Sequence, residues 1–222
     1  MGVVVTKATR AETVAAALRE AILKGDYLSG ERLIELSLAK TFDVSQNTVR
    51  DAIRLLEQDG WVVKHARHGV YVRSFTPDEA AEVFALIIAV EALALEWALQ
   101  TMTKSGLQEL GTLMDAARKH SYKGDWLAAM EAVFRFHETL AQIAGKPLTI
   151  QAMAQLFNQL RLLEALRHAR APRSPHELNT HIQWHERLYH AIEAGDLPEA
   201  QRLLREQMQS YGDTVLAALK MA

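Results

Sequence analysis

Apolar residues recur along this chain with two different periods, and the change between them divides it. In residues 10–24, RAETVAAALREAILK, the residues Val14, Leu18, Ile22 and Leu23 fall on one helical face and Gly25 follows as a stop. A turn-rich link, GDYLSGERL, leads to a short second helix suggested by Leu33, Leu36, Leu38, Ala39 and Phe42. The tripeptide DVS breaks it, and Ser45 is placed to cap a third helix that runs to about Asp59 with Val49, Ile53 and Leu56 inward. In WVVKHARHGVYVRSF two short β-branched and aromatic runs, 61–64 and 70–73, flank a polar stretch with Gly69, which predicts a β-hairpin.

From residue 76 the helical period returns and persists. Thr76-Pro77-Asp78-Glu79 is a capping box with proline at the first helical position, so a domain boundary is expected near residue 75. Ser105-x-x-Gln108 and Ser174-Pro175-His176-Glu177 repeat the signal, and Asp125 and Asp196 stand where caps belong, after Gly124 and Gly195. The segments between these starts predict helices over roughly 77–103, 106–121, 125–144, 147–170, 175–194 and 197–219. The expected fold is mainly α: a flexible tail over 1–8, a winged helix-turn-helix over 9–75, and an all-α six-helix bundle over 76–222.

Composition narrows the function without naming it. The 222 residues are 49% hydrophobic, ample for buried cores, and carry a net charge of −2. Residues 1–75 hold 11 Lys and Arg against 9 Asp and Glu, a charge of +2, which leaves −4 for the rest. That is too weak a bias to identify a nucleic-acid partner, so placement must decide. The absence of cysteine removes disulfides, thiolate metal sites and Cys nucleophiles. No apolar run approaches the roughly 20 residues of a membrane span, so a cytoplasmic protein with no membrane partner is expected. Met1–Thr6 fits a myristoylation pattern, but the pattern is short and needs a eukaryotic transferase.

A helix opening with Gln46, Asn47 and Arg50 at its exposed end suits a major groove. Arg can donate two hydrogen bonds to guanine, and Gln or Asn two to adenine. Arg32, before the second helix, and His65, Arg67 and His68 in the wing are placed to reach phosphate or a minor groove, with Gly69 allowing close backbone approach. Solvated residues on a protein-interaction winged helix would read similarly.

The run LREAILKGDYLSGERLIELSLAKTFDVSQNTVRDAIRLLEQDGWVV resembles the GntR family of bacterial transcriptional regulators in the order of its elements and motifs. The resemblance places Arg32 and Arg50 on DNA-contacting arginines and Thr48 at the DNA backbone, beside the cap Ser45. Gln46 departs from it, since the family usually has Arg after VS. The stretches VFALIIAVEALALEWA, FRFHETLAQIAGKPL and WHERLYHAIEAGDLPEAQRLLREQM resemble the FCD ligand-sensing domain of the FadR subfamily. This implies a homodimer on palindromic double-stranded operator DNA, with repression relieved or imposed by a small-molecule effector, an organic acid, in the bundle.

Many FCD relatives hold a divalent metal, such as Zn or Ni, with an Asp and three His. By resemblance His137 and His185 match two of those histidines, whereas Val133 stands at the Asp position, Gln207 at the last His, and Ile87 where many relatives have an Arg. Two readings stay open. His181, four residues before His185, could complete a site of His137, His181 and His185; or the metal is gone and the pocket is more apolar, as in the subfamily's acyl-CoA-binding namesake. Arg161, Arg167, His168, Arg170 and Arg173 could bind an anion, but suit better a solvated helix end whose cations favour the C-terminal dipole. His137 beside Glu138 and His185 beside Glu186 suggest acid–base pairs, and a metal-dependent hydrolase-like bundle with a protein-interaction winged helix is the alternative. Adjacent helical residues point about 100° apart, however, and no nucleophile accompanies them, so no enzyme is expected.

Overall fold

The computed structural model describes residues 8–220, in two compact units that divide between Phe75 and Thr76. The myristoylation pattern and all but the end of the expected tail lie outside the described residues.

The first unit is built from α1 (Arg10–Lys24), β1 (Arg32–Leu33), α2 (Glu35–Thr41), α3 (Gln46–Gln58), β2 (Val62–His65) and β3 (Gly69–Val72). Thr9 and Glu12 form a capping box at the start of α1, and Gly25 ends it in the left-handed region at φ 85°. Val14 and Leu18 of α1, Leu38 of α2, Val49, Ile53 and Leu56 of α3, and Trp61 fill the core. Leu23 is only half-buried, and Leu36 turns outward at 53% exposure, because the seven-residue α2 presents just Leu38 and Ala39 inward. The hairpin runs one residue later at its start and ends one residue earlier than the pattern suggests. Its β3 is central in a sheet of order β1-β3-β2, with Arg32 opposite Tyr71 and His65 opposite Gly69. Strand β1 has no sequence signal because two residues are too few to show a period.

The second unit comprises α4 (Pro77–Thr101), α5 (Lys104–Tyr122), α6 (Trp126–Ala144), α7 (Pro147–Arg170), α8 (Pro175–Glu193) and α9 (Leu197–Lys220). The boxes at Thr76 and Ser174 form as expected, and Asp125 and Asp196 accept from Ala128 and Glu199 backbone N–H groups at 3.1 Å. The start of α5 differs: Thr103, not Ser105, is the cap, accepting from Gly106 N at 3.1 Å. On α4 the buried positions Ala80, Val83, Phe84, Ile87, Glu91, Ala94, Leu95 and Ala98 follow the helical repeat, so a carboxylate sits in the middle of an apolar face. Among the described residues no helix is long and apolar enough to cross a membrane.

Candidate nucleic-acid interface and effector pocket

The N-terminus of α3 is organised by Ser45, whose hydroxyl accepts from Thr48 N at 3.2 Å and lies 2.9 Å from the Thr48 hydroxyl. This cap consumes Ser45 locally and leaves Gln46, Asn47 and Arg50 exposed, with Thr48 half-buried. Arg50 donates through Nε to Glu35 of α2 at 2.7 Å, an exposed ion pair of low intrinsic strength that a stronger anion can replace.

In the wing, His65, Arg67 and His68 are exposed, and Arg67 adopts the left-handed conformation at φ 65°. The hairpin end is fixed by the Tyr71 hydroxyl donating to the His68 carbonyl at 3.1 Å and by an edge contact of the His65 and Tyr71 rings. Gly69 has φ 113°, and a Cβ there would meet Arg32 Nε at 3.0 Å. The glycine is therefore required by the fold itself, as the surface on which the Arg32 guanidinium lies.

In the bundle, His137 is tied through Nδ1 to Glu91, both side chains being essentially inaccessible to solvent. His185 turns Nδ1 toward the carbonyl of His181 at 2.8 Å and places Nε2 3.1 Å from His137 Nε2. Gln207 Nε2 lies 2.8 Å from the same His185 nitrogen, and its amide NH donates there. Burial, with His137 nearby, pushes His185 down to about 3, so its ring is neutral.

The three-histidine site is not formed. His185 uses its ring on His137, Gln207 and the preceding turn's carbonyl, while the His181 ring stacks edgewise near Tyr211 and keeps its Nε2 buried without a hydrogen-bond partner. Burial and the neighbouring His185 hold His181 well below the ordinary histidine range, so its ring is neutral. Among the described residues no group of three or more His, Asp or Glu side chains could hold a metal. Buried Val133 offers no donor, Gln207 is spent on His185, and the space enclosed by Val133, His137, His185 and Gln207 admits no water-sized group. The donor set does not fit a transition metal.

The arginine run is not a solvated helix end. Arg161 is clamped by Glu131 at 3.0 Å and Glu138 at 2.7 Å, and Arg167 makes two bonds to Glu164, of 2.8 and 2.7 Å. Glu164 also accepts from the Tyr211 hydroxyl and from Arg173, and its side chain is 1% exposed. Burial works against the charge of Glu164, but the two arginines and the tyrosine outweigh it and hold the carboxyl below its usual range. Burial, and then the Glu164 charge, push Tyr211 well above the ordinary phenol value. Helix-dipole reasoning missed this because it weighs only the local helix end, whereas α9 supplies Tyr211. The arginine 173 guanidinium also lies 5.1 Å over the Tyr211 ring. Arg170 is exposed and His168 half-buried.

These groups wall a pocket of about 420 Å³ between the end of α7, α8 and α9, lined among others by Arg167, Arg173, Thr180, His181, Trp184 and Tyr211. Glu177 lines it too, but its carboxylate is exposed and bound to the backbone N–H of Ser174 at 2.8 Å. Glu91 was legible as a charge on an apolar face, and Glu164 with Arg167 as an i,i+3 pair on α7; that Arg173 and Tyr211 join them is decided only in three dimensions. The adjacent acid–base pairs diverge, Glu138 going to Arg161 and Glu186 to Arg118, so neither histidine pairs with its neighbour in sequence, and the carboxylate that meets His137 is Glu91.

Residues 10–72 match the family model for bacterial regulatory proteins of the gntR family, and residues 82–210 match that of the FCD domain. The HTH-type transcriptional regulator McbR of Escherichia coli (strain K12) is 25% identical over 198 residues, 86% of each chain. YdhC of Bacillus subtilis (strain 168), also an HTH-type transcriptional regulator, is 30% identical over 128 residues, and the match spans 57% of its length. A GntR transcriptional regulator from Rhodococcus sp. RHA1 superposes with a TM-score of 0.79 at 25% identity over 95% of this chain and 99% of that one. The structure of E. coli McbR/YncC shares the fold with a TM-score of 0.81, at 21% identity over 97% of this chain and 99% of that one.

Proposed function

The chain belongs to the GntR family of bacterial transcriptional regulators, with an FCD domain as its second unit, and from that premise we propose that it is a homodimeric, cytoplasmic repressor whose hold on a palindromic operator is set by a small organic acid bound in the bundle. The observation that carries the reading is the exposed start of α3, where Gln46, Asn47 and Arg50 stand clear of the core on a capped helix. In this reading they enter the major groove, while Thr48, Arg32 and the wing's His65, Arg67 and His68 hold the phosphates.

Support for a self-complementary partner comes from α4, where Ala85, Leu86, Ala89 and Leu93 form an exposed apolar stripe, with both leucines nearly half exposed. The two recognition helices of a dimer would then read half-sites about 34 Å apart or closer. Effector binding in the 420 Å³ pocket would couple to operator affinity. A coupling of about 1–3 kcal/mol changes that affinity roughly 5- to 150-fold.

Fluorescence anisotropy with operator fragments selected from random DNA tests the proposal. Wild-type protein should bind a palindrome with steep salt dependence. Arg50→Ala should weaken binding by about 1–3 kcal/mol while leaving the melting temperature almost unchanged, because the Glu35 pair it breaks is exposed. Selection that returns no palindrome at low salt would refute the reading.

A further inference from the structure

The resemblance to FCD domains implies a divalent metal that helps hold an organic acid, and in this chain the residues at the matching positions do not fit one: Val133 has no donor, Gln207 serves His185, and the space is closed. The positive charge has another source a short distance away. Arg167 and Arg173 converge on a single buried carboxylate, Glu164, so the cluster holds two guanidinium groups against one acid. Arg167 is fully engaged, with both its bonds to Glu164 and a third to the Ala171 carbonyl. Arg173 is different. Its contacts to Glu164 and to the sulfur of Met130 both run through Nη1, so Nε and Nη2 have no protein acceptor among the described residues.

Arg173 sits in the link between α7 and α8, with a side chain 9% exposed, and lines the 420 Å³ pocket. The pocket also offers the half-buried, neutral His181, whose Nε2 has no partner, and the hydroxyl groups of Thr180, Ser210 and Thr214. Glu177 adds a negative charge at the rim, where water screens it, whereas the guanidinium of Arg173 is largely removed from water.

We infer that this bundle binds its effector without a metal: the free edge of Arg173, held in place by Glu164 and the Tyr211 ring, takes the carboxylate of a small hydroxylated monoacid in the pocket between α7, α8 and α9. The fork of a guanidinium matches a carboxylate with two parallel hydrogen bonds, which a lysine cannot reproduce. The Glu91–His137–His185–Gln207 chain ties α4, α6, α8 and α9 together through buried polar contacts instead of holding a ligand. The inference rests on the effector reading above and adds to it the anchoring residue and the charge of the ligand.

The full-length protein, dialysed against EDTA, is unfolded thermally with lactate, gluconate and succinate in turn, and with lactamide as the uncharged control. A monoacid should raise the melting temperature of the chelated protein, lactamide should not, and succinate should act more weakly than a monoacid. In calorimetry, Arg173→Gln should bind that acid about 30-fold or more weakly, with Arg173→Lys intermediate. Arg173→Gln should stay folded but melt about 3–12 °C below the wild type without ligand, because it loses one bond to Glu164 while Arg167 and Tyr211 keep theirs, so affinity is compared at a temperature where each variant is fully folded. Stabilisation that appears only after Zn(II) or Ni(II) is restored, or unchanged affinity in Arg173→Gln, would overturn the inference and leave the effector reading intact. No response to any acid, with or without metal, in protein that still binds its operator would overturn the effector reading, and the inference with it.

Discussion

Glu164→Gln is the sharpest perturbation available, because one atom exchange removes the charge on which four donors converge. In the wild type Glu164 receives two bonds from Arg167, one from Arg173 and one from the Tyr211 hydroxyl, and the side chains of Glu164 and Arg167 are 1% and 2% exposed. The amide keeps the volume but can accept at only one atom, and it leaves two nearly buried guanidinium groups without a counter-charge. Breaking a buried pair by removing one partner costs about 3–5 kcal/mol. At about 2–4 °C per kcal/mol for a chain of this length, the melting temperature should fall by about 6–20 °C. Tyr211→Phe is the control: it deletes one hydrogen bond to a charged acceptor, for about 1.5–3 kcal/mol. Circular dichroism at 222 nm follows the melt, since the second unit is built of helices. A loss below about 1 kcal/mol in Glu164→Gln would mean that water already reaches the arginines, and the account of the buried cluster would fail.

Three further outcomes follow from the same geometry. Gln46→Arg should move the base preferred at its operator position from adenine toward guanine, read by selection from random DNA, and an unchanged preference would remove Gln46 from the base contacts. Gly69→Val places a side chain at φ 113° against the Arg32 guanidinium, so the first unit should lose about 1–3 kcal/mol and operator affinity should fall with the displacement of Arg32. The acid limb of stability should begin early. His181 and His185 are depressed in the folded state below the ordinary 6.5, so the unfolded chain binds the extra protons, and stability is full above about pH 7 and lost as pH falls from 6.5 toward 3. Each ring contributes a slope of up to about 1.4 kcal/mol per pH unit. Glu164, also depressed, adds its loss only below its unfolded value near 4.5. Urea melts across that range should show the early onset, and His185→Gln should reduce it.

Local signals along the chain were enough for the architecture. Capping residues with fixed offsets, Thr76 with Glu79 and Ser174 with Glu177, marked helix starts because the side chain and the backbone N–H it satisfies lie within one turn. The period of apolar residues separated three helices and a hairpin from a bundle, and the motif around DVSQNTVR identified the DNA-binding unit. The misses have the same physical origin as the successes. Ser105 looked like a cap, but Thr103, two residues earlier, takes that role, because two overlapping capping patterns are locally equivalent and packing selects one.

The bundle's chemistry lay beyond any local rule. Glu91 meets His137 across 46 residues, His137 meets His185 across 48, and Glu164 meets Tyr211 across 47. Spacing on one helix said that His181 and His185 share a face; it did not say that His185 would turn to His137 and Gln207 while His181 faced Tyr211 and the pocket. Likewise, a row of arginines near the end of α7 has the same sequence whether it is solvated or buried. What decides is the rotation and approach of α6 and α9: α6 brings Glu131 and Glu138 to Arg161, and α9 brings Tyr211 to Glu164, which Arg167 already meets three residues away on α7. Sequence alone therefore determined where helices start, stop and turn their apolar faces, whereas tertiary packing decided which buried charges meet, because that depends on distances between elements that no local period encodes.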